Sequence, residues 1–519
     1  MRSPARFSLL ALLLTGALLA VLAPAALAAP EFGVESFFAS NCKVNTCAKG
    51  ATPAEDKANA EAEAYTQAAG HPPFGVTDFT LNTFEAAPGL FLPVKNLKSL
   101  RIDVAPGVST NPEAVPKCSV EGFTGTEVEI LPGVHAFTPP ACLPASVIGE
   151  NVVRTVVPSP APPGFADATL TGKVYNLEQP EGMSSYFGVA LQVAPGFFVH
   201  TFIEGHVEWA SDYHDLFIIN NIPPGLIKSR LMFEGNIGTG GFLSNPSNCA
   251  GPGPSTTTGW SGESAEGAKV STSYTTPVGT EGCNGLPPFA LAPFAPTFSL
   301  APETTQSDQP DGATTELVLP HDPNPANLDS AQLKSATVQL PEGMTLNPSA
   351  AHGLASCTPA QIGIHTRGAV ACPAGSKVAT ATLQVPGLPA GSLQGSLFLG
   401  GPEGGGPITG PPYVVYLDVE SARYGISVRL AGEVVPNGNT GRVSAVFPEN
   451  PEQPFSNLIL KFTPGALAPI ANPLVCGTAT TTTALSPYTG QPAATPFSSF
   501  VVDSNGQGGA CPSPLPFSL

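Results

Sequence analysis

Apolar and polar residues alternate with a period of two along much of this chain. LRIDV (Leu100–Val104), ATVQL (Ala336–Leu340), ATATLQV (Ala379–Val385) and ISVRLAGEV (Ile426–Val434) put one apolar face on each segment, while TELVL and YVVYLDV run almost wholly apolar. Such spacing, rich in Val and Thr, predicts strands. Between them lie turn clusters such as APGVSTNP, PNGNTG and DSNGQGG. Many short strands with Gly/Pro turns and little helical spacing predict an all-β protein built of antiparallel sandwiches, Ig-like or jelly-roll-like.

One helix is expected. TPAEDKANAEAEAYTQAAGHPP opens on a capping box, Thr52 with Glu55, has Pro53 in its first turn, and ends at Gly70 before Pro72. Its body of alanine and charge lacks an apolar stripe, which predicts a short surface helix near the N-terminus.

The chain matches itself at an offset of roughly 223 to 236 residues. LKSLRIDVAPGVSTNP (Leu97–Pro112) answers LKSATVQLPEGMTLNP (Leu333–Pro348), LTGKVY answers LQGSLF, NPSNC answers NPLVC, and CNGLPPF answers CPSPLPF, all in the same order. Two copies of one long unit follow. The expected organisation is a signal peptide at 1–29, a Cys-containing prefix with the surface helix at 30–70, repeat 1 at 71–289 and repeat 2 at 290–519. At about 225 residues, each copy is long for one sandwich. Two per copy are expected, or one elaborated jelly-roll-like sandwich with a smaller partner. The last match makes the closing CPSPLPF segment a module boundary.

Cysteine usage and the N-terminus place the protein outside the cytoplasm. Two early arginines, an apolar run from Phe7 to about Leu22 and a small-residue exit near Ala28 and Ala29 form a secretory signal. No later run is long and apolar enough for a membrane span. The ten cysteines lack C-x-x-C pairs and read as disulfides in an oxidising compartment. Their repeat predicts the pairs Cys118–Cys142 and Cys249–Cys283 in copy one, Cys357–Cys372 and Cys476–Cys511 in copy two, and Cys42–Cys47 in the prefix; exchange between early and late pairs within a copy stays open. The net charge of −18 without clustered Lys or Arg excludes nucleic acid as a partner.

Candidate chemistry is sparse. The densest polar stretch, FVHTFIEGHVEWASDYHDLF, places His200, Glu204, His206 and Glu208 on one strand face, with Asp212, His214 and Asp215 beyond. A metal or acid/base site would need neighbours such as Glu204 with His206, or Glu208 with a cross-strand His214. In copy two Ser427, Arg429 and Ala431 replace His200, Phe202 and Glu204, which fits a solvent-facing sheet instead. GWSGE (Gly259–Glu263) lacks the second glycine of a nucleophile elbow and reads as a loop. DQPDGATTE reads as an acidic turn. No P-loop, dinucleotide fingerprint or H-E-x-x-H occurs. No catalytic, cofactor or metal residue is therefore assigned. Trp209, Trp260, Tyr175, Tyr186, Tyr213, Tyr413 and Tyr416 are candidate aromatic platforms for a cell-wall glycan, or core residues.

The signal peptide, the early Cys pair, TQAAGHPPF, LPEGMTLNP, the paired-Cys loop, NPLVCG and CPSPLPF together resemble repeat-built secreted β-rich proteins of high-GC bacteria. The resemblance implies an exported, disulfide-bonded surface or extracellular protein and transfers no catalytic residue. The expected role is structural, adhesive or ligand-binding, with a cell-wall glycan or another surface protein as partner. The alternative is a carbohydrate-active or metal-assisted hydrolase using the His200–His214 region.

Overall fold

The computed structural model describes residues 30–47, 53–131, 134–159, 164–237, 240–347, 355–400 and 413–511. The expected signal peptide, the helix cap Thr52 and the segment after Cys511 lie outside them. Eleven strands of the first half are β1 (Val34–Cys42), β2 (Phe74–Leu81), β3 (Leu97–Asp103), β4 (Val147–Pro158), β5 (Phe165–Asn176), β6 (Ser185–Ala194), β7 (Phe197–Trp209), β8 (Tyr213–Ile219), β9 (Leu226–Glu234), β10 (Thr257–Ser264) and β11 (Lys269–Thr275). They form one antiparallel sheet in the order β1-β2-β9-β4-β5-β6-β7-β8-β3-β10-β11.

The second half repeats this topology with β12 (Thr297–Ala301), β13 (Thr314–Val318), β14 (Leu333–Gln339), β15 (Lys377–Gln384), β16 (Leu393–Gly400), β17 (Tyr413–Ser421), β18 (Ile426–Pro436), β19 (Val443–Phe447), β20 (Asn457–Phe462), β21 (Gly477–Pro487) and β22 (Phe497–Val502). Their order is β12-β13-β20-β15-β16-β17-β18-β19-β14-β21-β22, so each strand carries its counterpart's number plus eleven. In each half the sheet curls until its edges meet. β1 packs beside β11, where Phe38 meets Tyr274 edge to face at 5.0 Å. β12 packs beside β22, where the Leu300 amide donates to Ser498 Oγ at 3.0 Å. The protein is thus two all-β antiparallel domains, each a nearly closed sheet whose facing halves belong to one continuous ladder, rather than two sandwiches per copy.

The strand β1 belongs to this pattern although it lies in the segment 30–70 that the sequence set apart. It occupies the place of β12, and the link from β1 to β2 carries an insertion with the bridge Cys42–Cys47 and a helix, α1 (Pro53–Glu63). That insertion shifts the offset and hides the match. The helix ends earlier than its sequence predicts, because the next residues are claimed by tertiary hydrogen bonds. Asn245 Nδ2 donates to the carbonyls of Tyr65 and Gln67 at 2.9 and 3.1 Å, and the Ala68 amide donates to Glu281. In copy two Asn472 Nδ2 donates likewise to Thr304 and Gln306 at 2.6 and 3.2 Å. The repeated Asn of N-P-x-x-C is therefore the clamp that fixes each domain's first connection.

Other repeated residues have equally local reasons. Gly172 on β5 and Gly395 on β16 face a neighbouring carbonyl, and a Cβ there would sit 2.3 Å from the Ala190 oxygen or 1.8 Å from that of Asp418. Short helices α2 (Val120–Thr124) and α3 (Pro359–Ile362), capped by Ser119 and Thr358, follow Cys118 and Cys357. Each covers the outer face of its sheet, where Phe123 and Ile362 are fully buried.

Candidate functional site

The polar stretch singled out in the sequence lies on β7 and β8, and it is a docking face. Glu208 accepts from Arg101 at 3.0 Å and from Arg367 of the second domain at 2.7 Å. Trp209 stacks on His365, with ring centroids 3.4 Å apart and planes within 1°. Tyr213 Oη accepts from the Arg429 amide at 2.9 Å, and Arg423 donates to the Gln179 carbonyl at 2.8 Å. Gly425, at φ +62, approaches so closely that a Cβ would lie 2.1 Å from the Gly182 oxygen. The expectation of a solvated outer face is thus corrected: His200 and Phe202 pack under α2 against Phe123, and Glu208 and Trp209 receive the second domain.

These groups are committed to partners that leave little room for acid/base or metal chemistry. His214 stands opposite Glu208 in the ladder, yet its Nδ1 meets Asp212 at 2.7 Å and its Nε2 meets Asp103 at 3.1 Å. Burial alone would lower its pKa, but the two carboxylates outweigh this and push it up to about 9. An imidazolium donating from both nitrogens is no general base. Burial would raise Asp103, but His214 and Arg101 hold it down to about 2. His200 is packed against Phe123 and Phe137, with centroids 4.6 and 4.7 Å away, and burial pushes it down to about 4. Among the described residues no group of three or more His, Cys, Asp or Glu converges as a metal site.

The other candidates also resolve into structure. GWSGE is part of β10 rather than a loop, with Trp260 fully buried 5.4 Å from Phe79. Asp311 of the acidic turn accepts from the Glu303 and Thr304 amides at 2.6 and 3.2 Å. Tyr213 and Tyr416 are buried, Tyr186 stacks on Phe202, and Tyr175 packs on Phe123. Tyr413 stays exposed, so the aromatic residues form no continuous platform. The structure joins Cys42–Cys47, Cys118–Cys142, Cys249–Cys283, Cys357–Cys372 and Cys476–Cys511, with Cα separations of 6.0, 5.4, 5.9, 4.9 and 6.0 Å.

What the sequence did not reveal is a chamber of about 910 Å³ inside the first domain. Val76, Val153, Val189, Ile203, Leu226 and Leu231 line it, and Phe217 and Phe233 join it to a phenylalanine cluster with Phe187 and Phe242. Several polar side chains at its wall are satisfied by protein: Asn41 donates to Asn245 at 2.7 Å, and Ser229 donates to Asn151 at 3.1 Å. Asp215, on β8, also faces it. Burial pushes this carboxyl up to about 7, against the Thr110 amide and the charge of His214, which favour its ionised form. Strand alternation alone puts Asp215, Phe217 and Ile219 on the inner face, so an acidic residue at an inward position was the available signal.

The size of this space decides how to read it. The space is partly open to solvent rather than sealed, so water fills it when no ligand does. It falls within the range of about 300–1,000 Å³ typical of small-molecule sites, and mostly apolar walls with a few polar groups are their usual composition.

The fold and the chamber define a tandem antiparallel β-protein with a mostly apolar chamber in its first domain. No protein-family model and no curated protein matches the chain. Among solved structures, the B domain of a biofilm-associated protein aligns at 8% identity over 83% of this chain and 82% of its own, with a TM-score of 0.14. The N-terminal domain of a Streptococcus gordonii adhesin aligns at 9% over 91% of each chain, with a TM-score of 0.19. The C-terminal domain of the Streptococcus pyogenes antigen I/II-family protein AspA aligns at 10% over 68% of this chain and 100% of its own, with a TM-score of 0.17. Scores this low carry no argument about function.

Proposed function

We propose that this is an exported binding protein that holds an apolar small molecule inside its first domain. The observation that carries the reading is the chamber of about 910 Å³ with its largely aliphatic wall. Five disulfides support work in an oxidising, extracytoplasmic space, at the cell surface or free of it. Between the structural or adhesive role and the ligand-binding role expected from the sequence, the chamber favours the second. The hydrolase alternative loses its support with the ion pairs of His214 and Glu208.

The test is titration of the secreted protein with an apolar fluorophore such as N-phenyl-1-naphthylamine. Saturable binding at one site is expected, with blue-shifted emission. Val153→Phe and Val189→Phe, which project new rings into the chamber, should weaken it at least tenfold without loss of the folded circular dichroism spectrum. Absence of saturable binding in the wild type, or indifference to both substitutions, would refute the reading.

A further inference from the structure

Resting on that reading, we infer that the natural ligand is an amphiphile with an elongated or polycyclic apolar body and a hydrogen-bond-donating head, a hydroxyl or an amine, seated on Asp215. Three observations select this head. Among the described residues the chamber wall contains no lysine or arginine, so a fatty-acid carboxylate or a phosphate would enter without a counter-charge. Its one histidine, His135, lies on the hairpin 127–137, keeps much of its side chain exposed and pairs with Glu127 at 3.2 Å. The wall amides Asn41, Asn245 and Asn151 are already joined to one another or to Ser229, and the remaining polar wall groups, Thr77, Thr155 and Thr201 among them, are neutral hydroxyls.

Asp215 is different. Partly exposed on the wall, it is the one acidic side chain among the described lining residues, and its carboxylate offers about four lone-pair positions beside the Thr110 backbone amide. A polar group kept inside an apolar chamber is costly unless a partner completes its hydrogen bonds. A bound alcohol or amine supplies that partner, and an amine adds charge that is strengthened by the low local dielectric. Apolar walls supply affinity while the carboxyl selects the head, since a site built to bond a donor discriminates strongly against a ligand lacking one.

The experiment is competition against the bound fluorophore by hexadecan-1-ol, hexadecylamine and hexadecanoate, in the full-length secreted protein and in Asp215→Asn and Asp215→Leu. In the wild type the alcohol and the amine are expected to compete at least tenfold better than hexadecanoate. Asp215→Asn should remove the advantage of the amine, and Asp215→Leu that of both, while unchanged folded circular dichroism spectra report intact domains. Equal competition by hexadecanoate, or an unchanged ranking in Asp215→Leu, overturns the head-group inference and leaves the apolar site standing. Failure of the fluorophore to bind the wild type overturns both.

Discussion

Arg429 offers a sharp test of how the second domain holds its docking loop. It stands on β18 directly opposite Asp418 on β17, is 1% exposed, and pairs with that carboxylate at 3.0 Å. Its remaining donors reach the carbonyls of Gly363, Thr366 and Gly368 at 3.0, 3.1 and 2.6 Å. That turn presents His365 to Trp209 and Arg367 to Glu208. In Arg429→Met one carboxylate is left buried and three carbonyls lose charge-assisted donors, so a loss of about 3–5 kcal/mol is expected. Burial already pushes the Asp418 pKa up against the pull of Arg429, so the deficit should shrink at acidic pH as Asp418 takes a proton. Adding Asp418→Leu should recover only part of the loss, because the carbonyls stay unpaired. The chain has two tryptophans, and one of them, Trp209, lies at the docking site. In a Trp260→Phe background, urea titration followed by Trp209 emission should show undocking at lower denaturant in Arg429→Met. Wild-type stability in either variant would refute the assignment of the loop's anchorage to this guanidinium.

Two further perturbations probe the same frame. Glu452 of the second domain accepts from the Asn248 amide of the first at 2.7 Å, and burial raises its carboxyl from 4.5 to about 7. A raised folded-state pKa means its contribution is complete below pH 4.5 and lost as pH rises to about 7, at most about 3.4 kcal/mol in all. Thermal melts of Glu452→Gln should accordingly depend less on pH over that window than those of the wild type. Asn245→Ala and Asn472→Ala should each cost about 1–3 kcal/mol, since each strips a clamp of two hydrogen bonds, and chemical denaturation of the single and double variants checks this.

The sequence made the class and the duplication legible because strand periodicity and turn chemistry are local, and because repeated residues such as Gly172 and Gly395 answer the same backbone constraint. It failed where tertiary contact overrides local preference. Residues 64–70 have a helical composition, but Asn245 and Glu281 claim their backbone groups and the segment turns at Ala69, φ +53, instead of continuing the helix. The strand β1 escaped the repeat because an insertion displaced it, and inter-copy docking was invisible because Glu208, Trp209, His365 and Arg367 meet only once the two domains are folded. Alternation does put Asp215 on the inner face, yet it cannot tell a packed interior from a hollow one. That difference depends on how far the strands extend and how many close the sheet.

Strand length differs between the copies. β4 and β7 are 12 and 13 residues long, while β15 and β18 have 8 and 11. With the same strand order, the shorter set is filled by its own side chains, Val378, Ala381, Leu397, Leu417 and Val419 among them. The longer set reaches past its phenylalanine cluster and encloses space. The second copy lends its α3 turn to the outer face of β7 and β8. Its Arg367 and His365 brace the strands Glu208 and Trp209 belong to, and the inner face of β8 carries Asp215. Docking of one copy therefore bears on the wall of the other's chamber, which gives a physical reason for keeping the two domains in one chain.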